Sequence, residues 1–241
     1  IMDIAARHGL RVLEDAAQGV NAFYKGRALG SIGDFGAYSF HETKNFICGE
    51  GGALCVNDAR FVRRAEIIRD KGTNRQQYFR GEIDKYTWVE VGSSYVPSEI
   101  SAAFLWGQLE EMETITERRR AIYQRYRDAL APLEAAGLLR TPRIPPECQP
   151  NHHMFYILLP TPYLRDGLMA HLKANGILAV FHYIPLHSSP MGKELGSDAW
   201  DLPVTQGVSS RLLRLPFYFD LSPQDQDEVI QRITDFLRAR A

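Results

Sequence analysis

Three short apolar runs between residues 11 and 56, set among helix-forming and glycine-rich sequence, restrict this chain to a layered α/β arrangement. Residues 11–14 predict a buried strand ending at Asp15. Residues 33–40 predict a second strand with aromatics in alternation, and 53–56 a third, ended by Asn57 and Asp58. Residues 1–9 read as the end of an amphipathic helix closed by Gly9, and 61–71 as a helix with a basic face stopped by Gly72. In such sheets ligands gather at the carboxyl ends of strands, where Asp15 and Ser39 fall.

The rest of the chain is organised differently. Residues 76–97 mix aromatics with charges and read as an extended excursion, costly to leave exposed on a monomer. A long helix is predicted from Ser98, its N-cap, to about Leu130, with Ala102, Leu105, Leu109, Met112 and Ile115 at helical spacing. Glu117-Arg118-Arg119-Arg120 reads as a solvated face of that helix. A proline-rich stretch at 142–150 marks a change of element. Strand 154–159, helix 165–175 closed by Gly176, strand 178–181 and a last helix capped by Ser222-Pro223 suggest a small α+β domain. The expected division is a large-domain portion at 1–110 and a small C-terminal domain at 111–241. The first helix opens in mid-stride without a cap, as expected of a fragment of a longer protein.

Composition narrows the function classes. The 241 residues carry a net charge of −1, so no basic excess points to nucleic acid or an anionic membrane surface. No apolar run approaches the roughly 18 residues of a membrane span. Cys48, Cys55 and Cys148 show no CxxC spacing, as expected of a reducing cytoplasm. His152-His153, His182 and His187 lack further ligands at regular spacing, so no metal site is expected. His182-Tyr183 and His187 follow a strand, where they either line a polar pocket or are satisfied loop residues.

Lys44 stands on a polar loop after Ser39, just before Gly49-Glu50-Gly51-Gly52. An acid at a strand end, a hydroxyl and a loop lysine are the groups that pyridoxal 5′-phosphate (PLP) chemistry uses. The lysine forms a covalent Schiff-base link, the acid holds the pyridinium proton, and the hydroxyl takes a phosphate oxygen. From spacing alone, a turn or cap role for Asp15 and a surface role for Lys44 are commoner. The glycine run permits close backbone approach but is no nucleotide-binding pattern.

Together these residues resemble a family. Glu14-Asp15-Ala16-Ala17-Gln18, Gly33-Asp34-Phe35-Gly36-Ala37-Tyr38-Ser39-Phe40-His41, Lys44-Asn45 and Gly49-Glu50-Gly51-Gly52-Ala53 are similar to the DegT/DnrJ/EryC1/StrS sugar aminotransferases. So are Glu117-Arg118-Arg119 with Tyr123, His182-Tyr183-Ile184-Pro185-Leu186-His187 and Leu215-Pro216-Phe217-Tyr218. The resemblance implies a PLP-dependent transferase of fold type I, aspartate aminotransferase-like, with a partial large domain and a small C-terminal domain. Lys71-Gly72-Thr73-Asn74-Arg75, Asp84-Lys85-Tyr86-Thr87-Trp88 and Gly92-Ser93-Ser94-Tyr95 look most like members that use L-glutamate to aminate C4 of a dTDP-4-keto-6-deoxy sugar. By that likeness Lys44 is the catalytic lysine and general base, Asp15 the pyridinium partner, Gln18 the neighbour of the phenolic oxygen, and Ser39 a phosphate ligand. His182, Tyr183 and His187 face the substrate.

The same likeness implies a homodimer with a shared active site, the excursion at 76–97 crossing to the partner subunit. Ser94 stands where many members carry an asparagine that reaches the partner's cofactor phosphate, and Val96 replaces a common arginine. The resemblance also implies that a segment before residue 1 supplies another phosphate-binding loop, the aromatic that stacks on the ring and further strands. Related sugar 3-dehydratases carry histidine at the lysine position, so Lys44 speaks against that activity. The same residues are also compatible with a nucleotide-sugar 3-aminotransferase, or with a catalytically silent regulatory module that keeps the fold.

Overall fold

A computed structural model describes residues 1–197 and 200–240. The chain divides into two compact units, one of Ile1–Thr116 with Pro145–Asn151, the other of Glu117–Ile144 with His152–Ala241. In the first unit the order is α1 (Met2–Arg7), β1 (Leu13–Asp15), β2 (Phe23–Tyr24), β3 (Arg27–Ala28), β4 (Phe35–Ser39), β5 (Gly52–Val56), α2 (Val62–Arg69), α3 (Arg75–Phe79) and α4 (Glu99–Glu110). β1 lies parallel to β4, with Asp15 opposite Ala37, and β4 lies antiparallel to β5, with Ser39 opposite Gly52. Asp15 and Ser39 therefore stand at the same carboxyl edge. The apolar run at 11–14 predicts a buried strand. Instead β1 is an edge strand of this sheet, with Leu13 63% exposed and Asp15 exposed.

Alternation along β4 sends Gly36 and Tyr38 to one face, against the loop at Gly30. A Cβ on Gly36 would meet the Gly30 carbonyl oxygen at 2.2 Å, and the Tyr38 ring covers Gly30, whose φ is +86°. The Tyr38 hydroxyl donates to the Leu29 carbonyl. Phe40 and Phe46, on either side of Lys44, are buried with Ile115 and pack against Val20, Leu105, Leu109 and Met112. A smaller sheet, order β3-β2-β6, uses Cys148–Gln149 (β6) from the returning segment.

Two expected elements differ. The helix predicted from Ser98 is broken at Glu111 into α4 and α5 (Met112–Ala135), although Ser98 does cap it, accepting from Ser101 N at 3.1 Å. A single non-helical residue leaves the apolar spacing almost undisturbed, so the break is silent in the sequence. The excursion at 76–97 is not extended throughout. It includes most of α3, and Asn74 Oδ1 accepts from Thr87 N at 2.7 Å, folding the segment back on itself.

The second unit holds β7 (Tyr156–Leu158), α6 (Pro162–Ala174), β8 (Val180–Phe181), α7 (Pro190–Glu194), α8 (Pro203–Ser209), β9 (Leu212–Arg214) and α9 (Pro223–Arg238), with the longer part of α5. Its sheet is antiparallel, order β7-β9-β8. Val229, Ile233, Phe236 and Leu237 form the inward stripe of α9, joining Tyr126, Phe155, Leu168 and Leu213 in the core.

The arginine run on α5 is not a solvated face. Arg118 donates to the carbonyls of Phe219 and Leu221 at 3.1 and 2.6 Å. Arg119, 8% exposed, donates to those of His152 and His153 at 3.0 and 2.7 Å. Burial lowers the Arg119 pKa to about 10. Arg120 is exposed, paired with Glu117 at 2.7 Å. Among the described residues no helix is long and apolar enough to cross a membrane, and no group of three metal-ligating side chains occurs. The three cysteines are free.

Candidate active site

Glu14 organises the carboxyl edge. Its carboxylate accepts from the backbone N–H groups of Gly30, Ile32 and Gly33 at 2.9, 2.5 and 2.7 Å. Burial alone would raise its pKa, but these three donors and Arg27 outweigh it and hold the carboxyl below its ordinary 4.5. Asn57 Nδ2 donates to the Gly30 and Gly33 carbonyls at 2.9 and 3.0 Å, so the loop before β4 is held from both sides. A carboxyl with a depressed folded-state pKa contributes stability that is full above 4.5 and lost as pH falls through the lowered value. Glu14→Gln is expected to cost about 1–3 kcal/mol at neutral pH. It should also flatten the loss of stability on acidification, read from urea midpoints at pH about 7 and about 4. Equal slopes for variant and wild type would assign the acid sensitivity to another group.

With Glu14 turned to that loop, Asp15 is left at the strand mouth. Its Oδ1 accepts from Ala17 N at 3.2 Å, an Asx-type turn. Among the described residues its second oxygen has no hydrogen-bond partner. Gln18 follows on the same turn with an exposed side chain. Ser39 Oγ accepts from His41 N at 3.3 Å, leaving its own proton free to donate.

Lys44 is carried on a hairpin from β4 to β5. Cys48 N donates to Phe40 O at 2.8 Å, Glu42 N to Gly49 O at 2.9 Å, and Lys44 N to His41 O at 2.9 Å. His41 Nδ1 accepts from Thr43 N at 3.1 Å, and its Nε2 is 3.5 Å from Glu50. The Lys44 side chain is partly buried, and among the described residues its amine forms no ion pair or hydrogen bond. The first unit thus brings a carboxylate with an open acceptor, a hydroxyl with an open donor and an unpaired amine onto two consecutive connections leaving one sheet edge.

Sequence reasoning missed Asn45 and Asn151. Both are buried, and Asn45 Nδ2 donates to the Asn151 carbonyl at 2.8 Å. The Asn151 side chain donates to the Gln18 and Val20 carbonyls at 2.7 and 2.8 Å. The adjacency of Asn45 to Lys44 is the one signal the sequence carries. Ser94 is exposed and forms an isolated antiparallel bridge with Asp70; no hydrogen bond joins its side chain to the Lys44 hairpin among the described residues.

The remaining candidates lie in the second unit. The pKa of His182 is lowered by burial and then by Arg214, and its Nδ1 is enclosed without a partner. Tyr183 meets its ring edge-on at 5.3 Å and is 74% exposed. His187 is buried, with Nε2 3.4 Å from Gln206 Nε2, and its carbonyl accepts from Ser197 Oγ at 2.7 Å.

This arrangement is that of a fold type I PLP-dependent transferase. The chain belongs to the DegT/DnrJ/EryC1/StrS aminotransferase family, which it matches over residues 1–234. PLP is the cofactor that goes with that family. The chain is similar to a pleiotropic regulatory protein of Geobacillus stearothermophilus, 33% identical over 99% of this chain and 61% of that protein. Among solved structures it resembles an aminotransferase from Psychrobacter cryohalolentis, with a TM-score of 0.90 at 26% identity over 99% of this chain and 64% of the other. S. venezuelae DesV, solved in complex with a ketimine intermediate, gives a TM-score of 0.85 at 30% identity over 98% of this chain and 60% of its own. The chain spans about 61% of the length of the curated relatives it matches.

Proposed function

We propose that the protein is a PLP-dependent nucleotide-sugar aminotransferase that moves the amino group of L-glutamate to C4 of a dTDP-4-keto-6-deoxyhexose. The observation that carries this reading is the open chemistry of one edge: Asp15 with an unfilled acceptor and, on the next hairpin, the unpaired amine of Lys44. The residues fit the cofactor. Bound PLP supplies an aldehyde that holds an amino group covalently and a ring that withdraws electrons. Lys44 would hold the aldehyde covalently, and its amine, when free, would be the base that moves a proton. Asp15 holds the pyridinium proton through a charge-assisted hydrogen bond. Ser39 would donate to a phosphate oxygen, and Gln18 would serve the phenolic oxygen.

Ser94 serves the cofactor phosphate of a second subunit in a homodimer. His182, Tyr183 and His187 serve the nucleotide sugar, and the protein works in the cytoplasm. In this reading the first unit belongs to the large domain, and the second is the small domain.

The regulatory name of the Geobacillus relative favours a second reading, a binding or regulatory module that keeps the fold without the chemistry. Borohydride reduction of the full-length protein with PLP separates the two. Cofactor is expected on Lys44, located by peptide mass spectrometry. Label on another lysine would sink the site assignment, and no label would favour the module. With L-glutamate and a dTDP-4-keto-6-deoxyhexose, 2-oxoglutarate should accumulate. Turnover of only the 3-keto isomer would correct the position of amination.

A further inference from the structure

The Lys44 amine has no polar partner among the described residues, so its aim depends on what holds the backbone beneath it. One hold is Phe46, 1% exposed in the core. The other is Asn45, whose amide reaches the carbonyl of Asn151. The Asn151 amide in turn spans the carbonyls of Gln18 and Val20. At 6% exposure it spends both side-chain N–H donors there. A continuous link therefore runs from the residue after Lys44 to the turn that carries Asp15 and Gln18. Breaking it leaves the part-buried Gln18 and Val20 carbonyls, or the buried Asn151 carbonyl, without that donor, which disfavours other settings of the link.

We propose that Asn151 is a positioning residue of the active site. It sets the Lys44 hairpin against the turn of Asp15 and Gln18, so that amine and carboxylate address one ring. This rests on the PLP reading above. The hydrogen bonds of Asn151 run to the neighbour of Lys44 and to the turn after Asp15.

The test uses full-length holoprotein with Asn151→Asp, Asn151→Ala and Asn45→Ala. Asn151→Asp keeps the shape and replaces the amide nitrogen, with both its N–H donors, by one acceptor oxygen facing the two carbonyls. Three quantities are read: the pH midpoint of the visible cofactor band, PLP affinity, and kcat against KM. Each variant is expected to shift the midpoint by roughly half a pH unit or more. Each should also lower kcat about 10–100-fold, with a smaller change in KM. Combining Asn45→Ala with Asn151→Ala should add little to either alone, because both cut one link.

Variants that fold with wild-type midpoint, affinity and kcat but melt earlier would overturn the proposal, leaving Asn151 a structural residue. If the Asn151 variants do not fold, Asn45→Ala decides the matter, since it spares the Asn151 side chain. A wild-type midpoint in that variant overturns the proposal. Failure of the PLP reading itself is seen separately, as a wild-type protein with no visible band and no reducible link at Lys44.

Discussion

Lys44→Ala is expected to lower amino transfer by about 10⁴-fold or more while leaving folding stability within about 0.5 kcal/mol of wild type. The two effects separate because of how the hairpin is built. Its backbone pairs, Phe40 to Gly51, Cys48 to Phe40 and Glu42 to Gly49, do not involve the lysine side chain. His41 ties the tip through Thr43 and Glu50. Phe40 and Phe46 fix both ends in the core. Removing the side chain deletes an amine that no described group binds, so little folding energy is lost. On the proposed reading of Lys44, the chemistry loses both its anchor and its base. Turnover with L-glutamate and urea midpoints measure the pair of effects. Residual activity above about 1% would place the proton transfer on another residue.

Gly36→Val should destabilise the full-length protein by about 3–5 kcal/mol. The added Cβ would stand 2.2 Å from the Gly30 carbonyl oxygen and 2.4 Å from its Cα, and both are backbone. Gly30 cannot retreat freely. Its N–H is taken by Glu14, its carbonyl by Asn57, and the Tyr38 ring lies against it. Relief therefore requires β4 to separate from the loop that Glu14 organises. Gly49→Ala is a useful contrast. Nothing lies within 4 Å of that position, and only its φ of +82° opposes a side chain, a cost of about 1–2 kcal/mol. If the two variants have equal denaturation midpoints, close packing at Gly36 is not what β4 depends on.

Elements governed by local pattern were legible in the sequence, and those governed by distant partners were not. β4 and β5 announced themselves by alternation and flanking turns, and α9 by the Ser222-Pro223 start. The shared edge of Asp15 and Ser39 followed from strand order alone. β9 was not predicted, since three residues before Leu215-Pro216 carry almost no periodicity, yet it is the central strand of its sheet. The two-residue strands β2, β3 and β6 exist only through a pairing between segments far apart in the chain. Arg119 shows the same limit for charge. A run of arginines reads as solvated until His152 and His153 present their carbonyls to it. Asn151 is invisible for the same reason, because an asparagine in a proline-flanked loop gives no sign of the carbonyls it will meet.

The return of Pro145–Asn151 to the first unit has a consequence for synthesis. A polypeptide leaves the ribosome from its amino end, and domains generally fold as they emerge. Here the residues that carry Asp15, Ser39 and Lys44 appear early but cannot complete their hydrogen bonding until Asn151 has cleared the exit tunnel. Ending the nascent chain near Thr116 would leave out the Asn151 amide that holds the Gln18 turn, the Asn151 carbonyl that Asn45 reaches, and the β6 strand that pairs with β2. Maturation of the lysine hairpin is thus timed by a stretch of messenger well downstream of its own codons.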